Sequence, residues 1–141
     1  MFIYVFSIIL IVASNIMYNV SQKSTPDNAN PFSALVITYL TATILTIIIS
    51  QFYQTNNGFF QSFNELNWTS VVLGIAIVGL EFGYLLAYRA GWDISVGSLV
   101  ANVSLAIMLI PVGVLFYNES FGVNKILGIL LCIIGLIFIN R

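Results

Sequence analysis

The residue with the strongest claim to chemistry is Glu81, the one charge in the apolar run from Val71 to Tyr88. A carboxylate at bilayer depth costs about 2.5–3.5 kcal/mol on insertion scales, so it must face protein or water and be protonated or paired. Two uses compete. One is to titrate or to neutralise cargo on a path through the membrane; the other is a protonated side chain serving as a hydrogen bond between helices, which contributes about 0.6–2 kcal/mol in lipid. At about 100° per residue, Tyr84, Tyr88 and Trp92 continue the Glu81 stripe in steps of three or four. A carboxylate in a column of aromatic faces suits an organic cation, held by charge and by cation–π attraction. The bland reading, a belt of aromatics at the membrane surface, is kept open for Tyr88 and preferred for Trp92, whereas Tyr84 is placed in the pocket.

Two further polar faces accompany it. Asn15, Tyr18, Asn19 and Gln22 share one face of the first apolar stretch, and Ser98 and Asn102, with Ser104 at the adjoining angle, lie in a later one. Amides left unpaired in hydrocarbon are costly, so these faces must meet other helices or a cavity. Gly97, Ala101 and Ser104 are small enough to let another backbone approach.

The remaining composition excludes most other chemistry. There is no histidine, which removes imidazole ligands, bases and proton shuttles. One cysteine, Cys132, allows neither an intrachain disulfide nor a zinc cluster, and among apolar neighbours it reads as inert. A net charge of −1 gives no footprint for nucleic acid. Without an aspartate dyad or a carboxylate metal cluster, the expectation is no enzyme, no catalytic residue, no metal and no cofactor.

The elements that must position Glu81 follow from hydropathy. The 141 residues are 60% hydrophobic and 6% charged, against about 45–50% and about 25% in soluble proteins. A spanning helix needs about 20 mostly apolar residues, and five stretches qualify: 2–20, 32–53, 69–90, 95–117 and 123–140. Turn-rich breaks separate them, notably Ser24 to Pro31, with two of the three prolines, and Gln54 to Asn67, with Asn57-Gly58 as its turn signal. In that second break Phe59, Phe60, Phe63 and Trp68 suggest a segment at headgroup level. The first stretch lacks the positive flank and cleavage site of a signal peptide, so it is expected to be retained. Lys23, Arg89 and Arg141 fall on one side of five spans and Lys125 on the other, which favours the amino terminus outside and the carboxyl terminus inside. So small a bias leaves insertion in both orientations open.

Smaller features read plainly. Arg89 and Asp93 suggest a boundary ion pair with a helix cap, and Glu119 and Lys125 are interfacial charges. Pro111 should kink the fourth helix and free a carbonyl near Ile107. Gly128 and Gly135, seven apart on one face, read as a packing seam between helices or subunits.

The closing stretch, Tyr117-Asn118-Glu119-Ser120-Phe121 to Lys125-Ile126-Leu127-Gly128 and Gly135-Leu136, resembles the EamA-type signature of the drug/metabolite transporter superfamily. Ser14-Asn15 and Asn30-Pro31-Phe32 fit the same domain, and the resemblance covers essentially the whole chain as one five-helix repeat. Leu86 to Asn140 is also similar to the last three helices of the small multidrug resistance family. There the first-helix glutamate and the third-helix tryptophan carry the mechanism, and here their counterparts are Ser14 and Ala101. Members with two inverted repeats bind substrate between them, so the resemblance implies that a single repeat works as a dimer.

The expectation is an all-α membrane protein, residues 1–141 forming one EamA-like domain of five transmembrane helices that functions as a dimer. It is a multi-pass subunit of a secondary transporter in the plasma (inner) membrane, moving a small metabolite or organic cation by alternating access, proton-linked through Glu81. Tyr84, Asn15, Tyr18, Asn19, Ser98 and Asn102 complete the substrate or proton site. The partners expected are the lipid bilayer, a small-molecule substrate, and either an antiparallel second copy or an oppositely inserted paralogue. The competing class is a non-transporting accessory subunit whose Glu81 merely pairs with a partner protein.

Overall fold

Helix α1 runs Phe2–Ser24, four residues past the apolar end at Val20. Hydropathy ends there but the hydrogen-bond ladder does not, because nothing between Ser21 and Ser24 breaks a helix before Pro26. Asn30 then caps α2, Pro31–Ser50: its Oδ1 accepts from Phe32 N at 2.9 Å and Ser33 N at 3.4 Å, with Pro31 in the first turn where a missing N–H costs nothing. This helix stops three residues before the expected Tyr53, as Gln51, Phe52 and Tyr53 turn back onto the carbonyls of Ile48, Ile49 and Ser50. A 3₁₀ turn, Gln61–Glu65, leads to α3, Trp68–Arg89, whose cap Asn67 accepts from Thr69 N at 2.9 Å. Next come α4, Ile94–Tyr117, and α5, Val123–Ile139. The computed structural model describes residues 2–53, 59, 61–120 and 122–139, without the side chains of 124–126. The expectations for Asn57-Gly58, Phe60, Phe121, Asn140 and Arg141, and for the side chain of Lys125, lie outside the described residues.

Four helices, α1 to α4, are long and apolar enough to cross a membrane. The fifth is apolar but shorter, 17 residues, or about 26 Å at 1.5 Å per residue. The chain divides into two compact units, residues 1–90 and 91–141.

In the first unit both α1 and α2 pack on α3. Arg89, the last residue of α3, donates through Nη2 to Pro26 O at 3.0 Å and Ala29 O at 2.8 Å in the α1–α2 connector. The ends of α1 and α3 therefore lie at the same level and the two helices run parallel, which brings Lys23 and Arg89 to one end of the unit. In the second unit Asp93 occupies the N-cap of α4, but, against the expected helix cap, its side chain makes no cap hydrogen bond. Among the described residues the buried apolar side chains are Leu35, Leu85 and Tyr88. Most other large apolar side chains, such as Ile9, Ile37 and Leu73, point outwards, as they must where lipid is the solvent. The outward threonines of α2 solve their polarity locally: Thr38, Thr41, Thr43 and Thr46 each donate to the carbonyl four residues back, at 2.7 to 3.1 Å.

In the second unit α4 packs on α5 and continues as helix through Pro111. Asn118, at φ 51°, ends it in the left-handed conformation, and Glu119 N returns to Gly113 O at 3.0 Å. The Glu119 carboxyl folds over Gly113 so closely that a Cβ there would come within 3.0 Å of its Cδ and Oε2. A side chain at 113 would make the Glu119 carboxyl, the end of a flexible and exposed side chain, move aside.

Candidate functional site

The inner stripe of α3 is Glu81, Leu85 and Tyr88, one turn apart and the buried residues of that helix. Glu81 is 8% exposed, though it carries a charge when ionised. It sits eight residues before the end of α3, about 12 Å along the axis from Arg89.

Facing it, α1 presents Tyr18, Asn19 and Gln22. Asn19 is the buried residue of α1, and both ends of its amide are used. Its Nδ2 donates to Asn15 O at 2.8 Å, and its Oδ1 accepts from the Tyr88 hydroxyl. Gln22 Nε2 lies 3.3 Å from the Tyr18 hydroxyl and 3.4 Å from the Glu81 backbone carbonyl. That second bond is the one hydrogen bond to Glu81 from outside its own helix among the described residues, and it leaves the carboxyl itself without a donor. The Tyr18 and Tyr84 rings meet edge to face at 5.6 Å, and Tyr84 and Tyr88 lie 5.9 Å apart. At the end of the unit Lys23 Nζ donates to Tyr88 O at 3.3 Å and lies 5.8 Å from the centre of the Tyr88 ring.

Helix α2 supplies the third wall. Phe32 stacks on Phe82 of α3 at 5.3 Å, and Leu35 is buried. One turn further along the same stripe, Tyr39 lies within electrostatic reach of both Glu81 and Tyr18, and its buried hydroxyl has no hydrogen-bond partner among the described residues. A carboxyl on a buried helix face with tyrosines from three helices near it can hold a proton or an organic cation. Among the described residues no group of His, Cys, Asp or Glu could hold a metal ion.

The residues singled out from sequence therefore separate. Tyr18, Asn19, Glu81 and Tyr84 form one cluster. Asn15 joins it only through its backbone carbonyl, and its side chain is exposed. Asn102 and Ser98 belong to the second unit, where Asn102 Nδ2 donates to Ser98 O at 2.8 Å and lies 3.3 Å from Ser98 Oγ. A Cβ at Gly128 or Gly135 would meet nothing within 4 Å, so neither forms a close helix contact within its unit. Tyr88, left between pocket and surface belt, is 4% exposed and bonded to Asn19. Tyr39 was missed altogether, although the Phe32, Leu35, Tyr39 spacing of three and four carried the signal of a helix face.

The Asn19–Tyr88 bond yields a direct prediction. Asn19→Leu and Tyr88→Phe should each destabilise the protein by about 1–3 kcal/mol, because each leaves a buried polar group unpaired. The double variant should cost less than the sum, since it removes both partners together. Unfolding of the four purified proteins in mixed micelles measures the coupling, and strict additivity would show that the bond contributes nothing.

Residues 2–141 match the EamA-like transporter family. No curated protein and no solved structure matches the chain.

Proposed function

We propose, since the chain belongs to the EamA-like transporter family and is a membrane transporter of the drug/metabolite type, that it moves a small organic cation or cationic metabolite across the plasma membrane in exchange for protons. The observation that carries this reading is the burial of Glu81, a residue 8% exposed, on the α3 face near Tyr18, Tyr39 and Tyr84, with no basic side chain paired to it among the described residues. A carboxylate in that setting is stable only when something positive neutralises it. A proton and an organic cation are alternative neutralisers, and their competition for one group couples their movements. The ionised form recruits cargo, cargo release lets a proton on, and the neutral form crosses back.

Alternating access requires the site to open to each side in turn. Two copies inserted antiparallel would supply the symmetry, and the polar side chains of Asn15, Ser98 and Asn102, exposed or half-buried in their own units, would line the surface between copies. Lys23 and Arg89 share one end of the first unit, and the positive-inside rule supports the reading that this end faces inside in the copy with its amino terminus outside.

The test is transport by the full chain alone in proteoliposomes, with benzylammonium as probe. An acid-inside pH gradient should drive its accumulation, and collapse of the gradient should abolish it. Accumulation no greater than in protein-free liposomes subjected to the same gradient would overturn the proposal. Recovery of uptake only with a second, different protein would favour the accessory subunit instead.

A further inference from the structure

Gln22 sits two residues before the end of α1, where a glutamine side chain can turn outwards to water. It turns inwards instead and is half-buried. Its amide carries two hydrogens on one nitrogen, and two acceptors lie within reach of it. One is the Tyr18 hydroxyl oxygen on its own helix, at 3.3 Å; the other is the Glu81 backbone oxygen on α3, at 3.4 Å. A single side chain therefore ties a ring of α1 to the backbone of α3 at the residue that carries the carboxyl. The ring so tied meets Tyr84 with centres 5.6 Å apart and planes at 82°. Tyr18 and Tyr84 are both half-buried, so each keeps accessible surface, whereas Tyr88 is buried and bonded to Asn19.

We infer that Gln22 is a positioning residue for the cation site: through the Tyr18 hydroxyl it fixes the Tyr18 ring beside Tyr84, and so the aromatic surface that a cationic cargo of Glu81 meets. A tyrosine ring turns about two side-chain torsions, and its hydroxyl is the atom farthest from the backbone, so a bond there restrains both. Cation–π attraction needs the charge over a ring face, within about 6 Å of its centre, and a ring free to turn gives that up. Methionine at 22 would fill the same length and keep the helices packed, yet would hold neither acceptor. The inference rests on the proposed role of Glu81 as the cargo carboxylate and adds the residue that sets the ring beside it.

Calorimetry of benzylammonium binding to the full chain in detergent tests it, for the wild type, Gln22→Met, Tyr18→Phe, the double variant and Glu81→Gln. Gln22→Met should weaken binding by about fivefold to thirtyfold, the value of one desolvated cation–π contact. Tyr18→Phe keeps the ring and removes the hydroxyl, so it should weaken binding to a similar extent. The double variant should bind no worse than either single one, because both break the same tie. Affinity is referred to the folded fraction given by circular dichroism, so a role in helix packing alone would lower stability and leave affinity unchanged. Gln22→Met that binds like the wild type, or losses that add in the double variant, overturns the inference while leaving Glu81 in place. If Gln22→Met does not fold, Tyr18→Phe decides: a loss of affinity supports the inference and wild-type affinity overturns it. A wild type that does not bind benzylammonium, or Glu81→Gln that binds it as tightly, overturns the reading of Glu81 and this inference with it.

Discussion

Glu81→Gln should weaken binding of a cationic probe by about 30-fold to several thousand-fold, the equivalent of about 2–5 kcal/mol for removing one partner of a buried charge pair. Glutamine keeps the shape and the hydrogen-bonding reach of a protonated glutamate, so the enclosure should stand and the protein should fold. What disappears is the ability to become negative. The wild type should therefore bind the cation more tightly as pH rises, because proton and cargo compete for the same oxygens, until the carboxyl is fully ionised. Glu81→Gln should bind weakly and show no such dependence. The titratable groups near Glu81 are Tyr18 from α1, Tyr39 from α2 and Tyr84 from its own helix. A slope retained in Glu81→Gln would place the titrating group elsewhere and remove the basis for proton coupling.

The second large effect is structural and sits one turn away. Leu85 is 1% exposed, the most deeply buried large side chain among the described residues, and lies between Glu81 and Tyr88 on the inner stripe of α3. Leu85→Ala would open a cavity behind both. In water-soluble cores such truncations cost about 2–5 kcal/mol. In lipid the transfer part is small, because acyl chains are as apolar as leucine, but the lost packing remains. A destabilisation of about 2 kcal/mol is expected from the cavity term. The control is Leu80→Ala on the same helix: Leu80 is 52% exposed and faces outwards, so its truncation should change unfolding little. Equal effects at the two positions would mean that α3 does not present the stripe described here. Leu85→Ala should also loosen the Asn19–Tyr88 bond, so it should lower cargo affinity as well as stability, unlike a substitution on the outer face.

Composition and the positions of nine charged residues were enough to establish helices in a membrane, because apolar length and the cost of buried charge are local properties. They also isolated Glu81 as the charge at depth, and the family pattern was legible in the order of turns, glycines and acidic ends. Helix ends were less legible: α1 outran its apolar stretch and α2 stopped short of its own, since capping and turn bonds, rather than hydropathy, terminate a helix. The companions of Glu81 needed the tertiary structure. Asn15 lies on the same helical stripe as Asn19, yet a turn of displacement leaves its side chain exposed while Asn19 is locked to Tyr88. Tyr39 is remote from Glu81 in sequence, and only the packing of α2 on α3 brings its hydroxyl within reach. The sequence by itself determined that one carboxylate must be neutralised inside the bilayer. Which hydroxyls and rings surround it was decided by how three helices cross, because a helix specifies its own face but not the residues of another helix that will meet it.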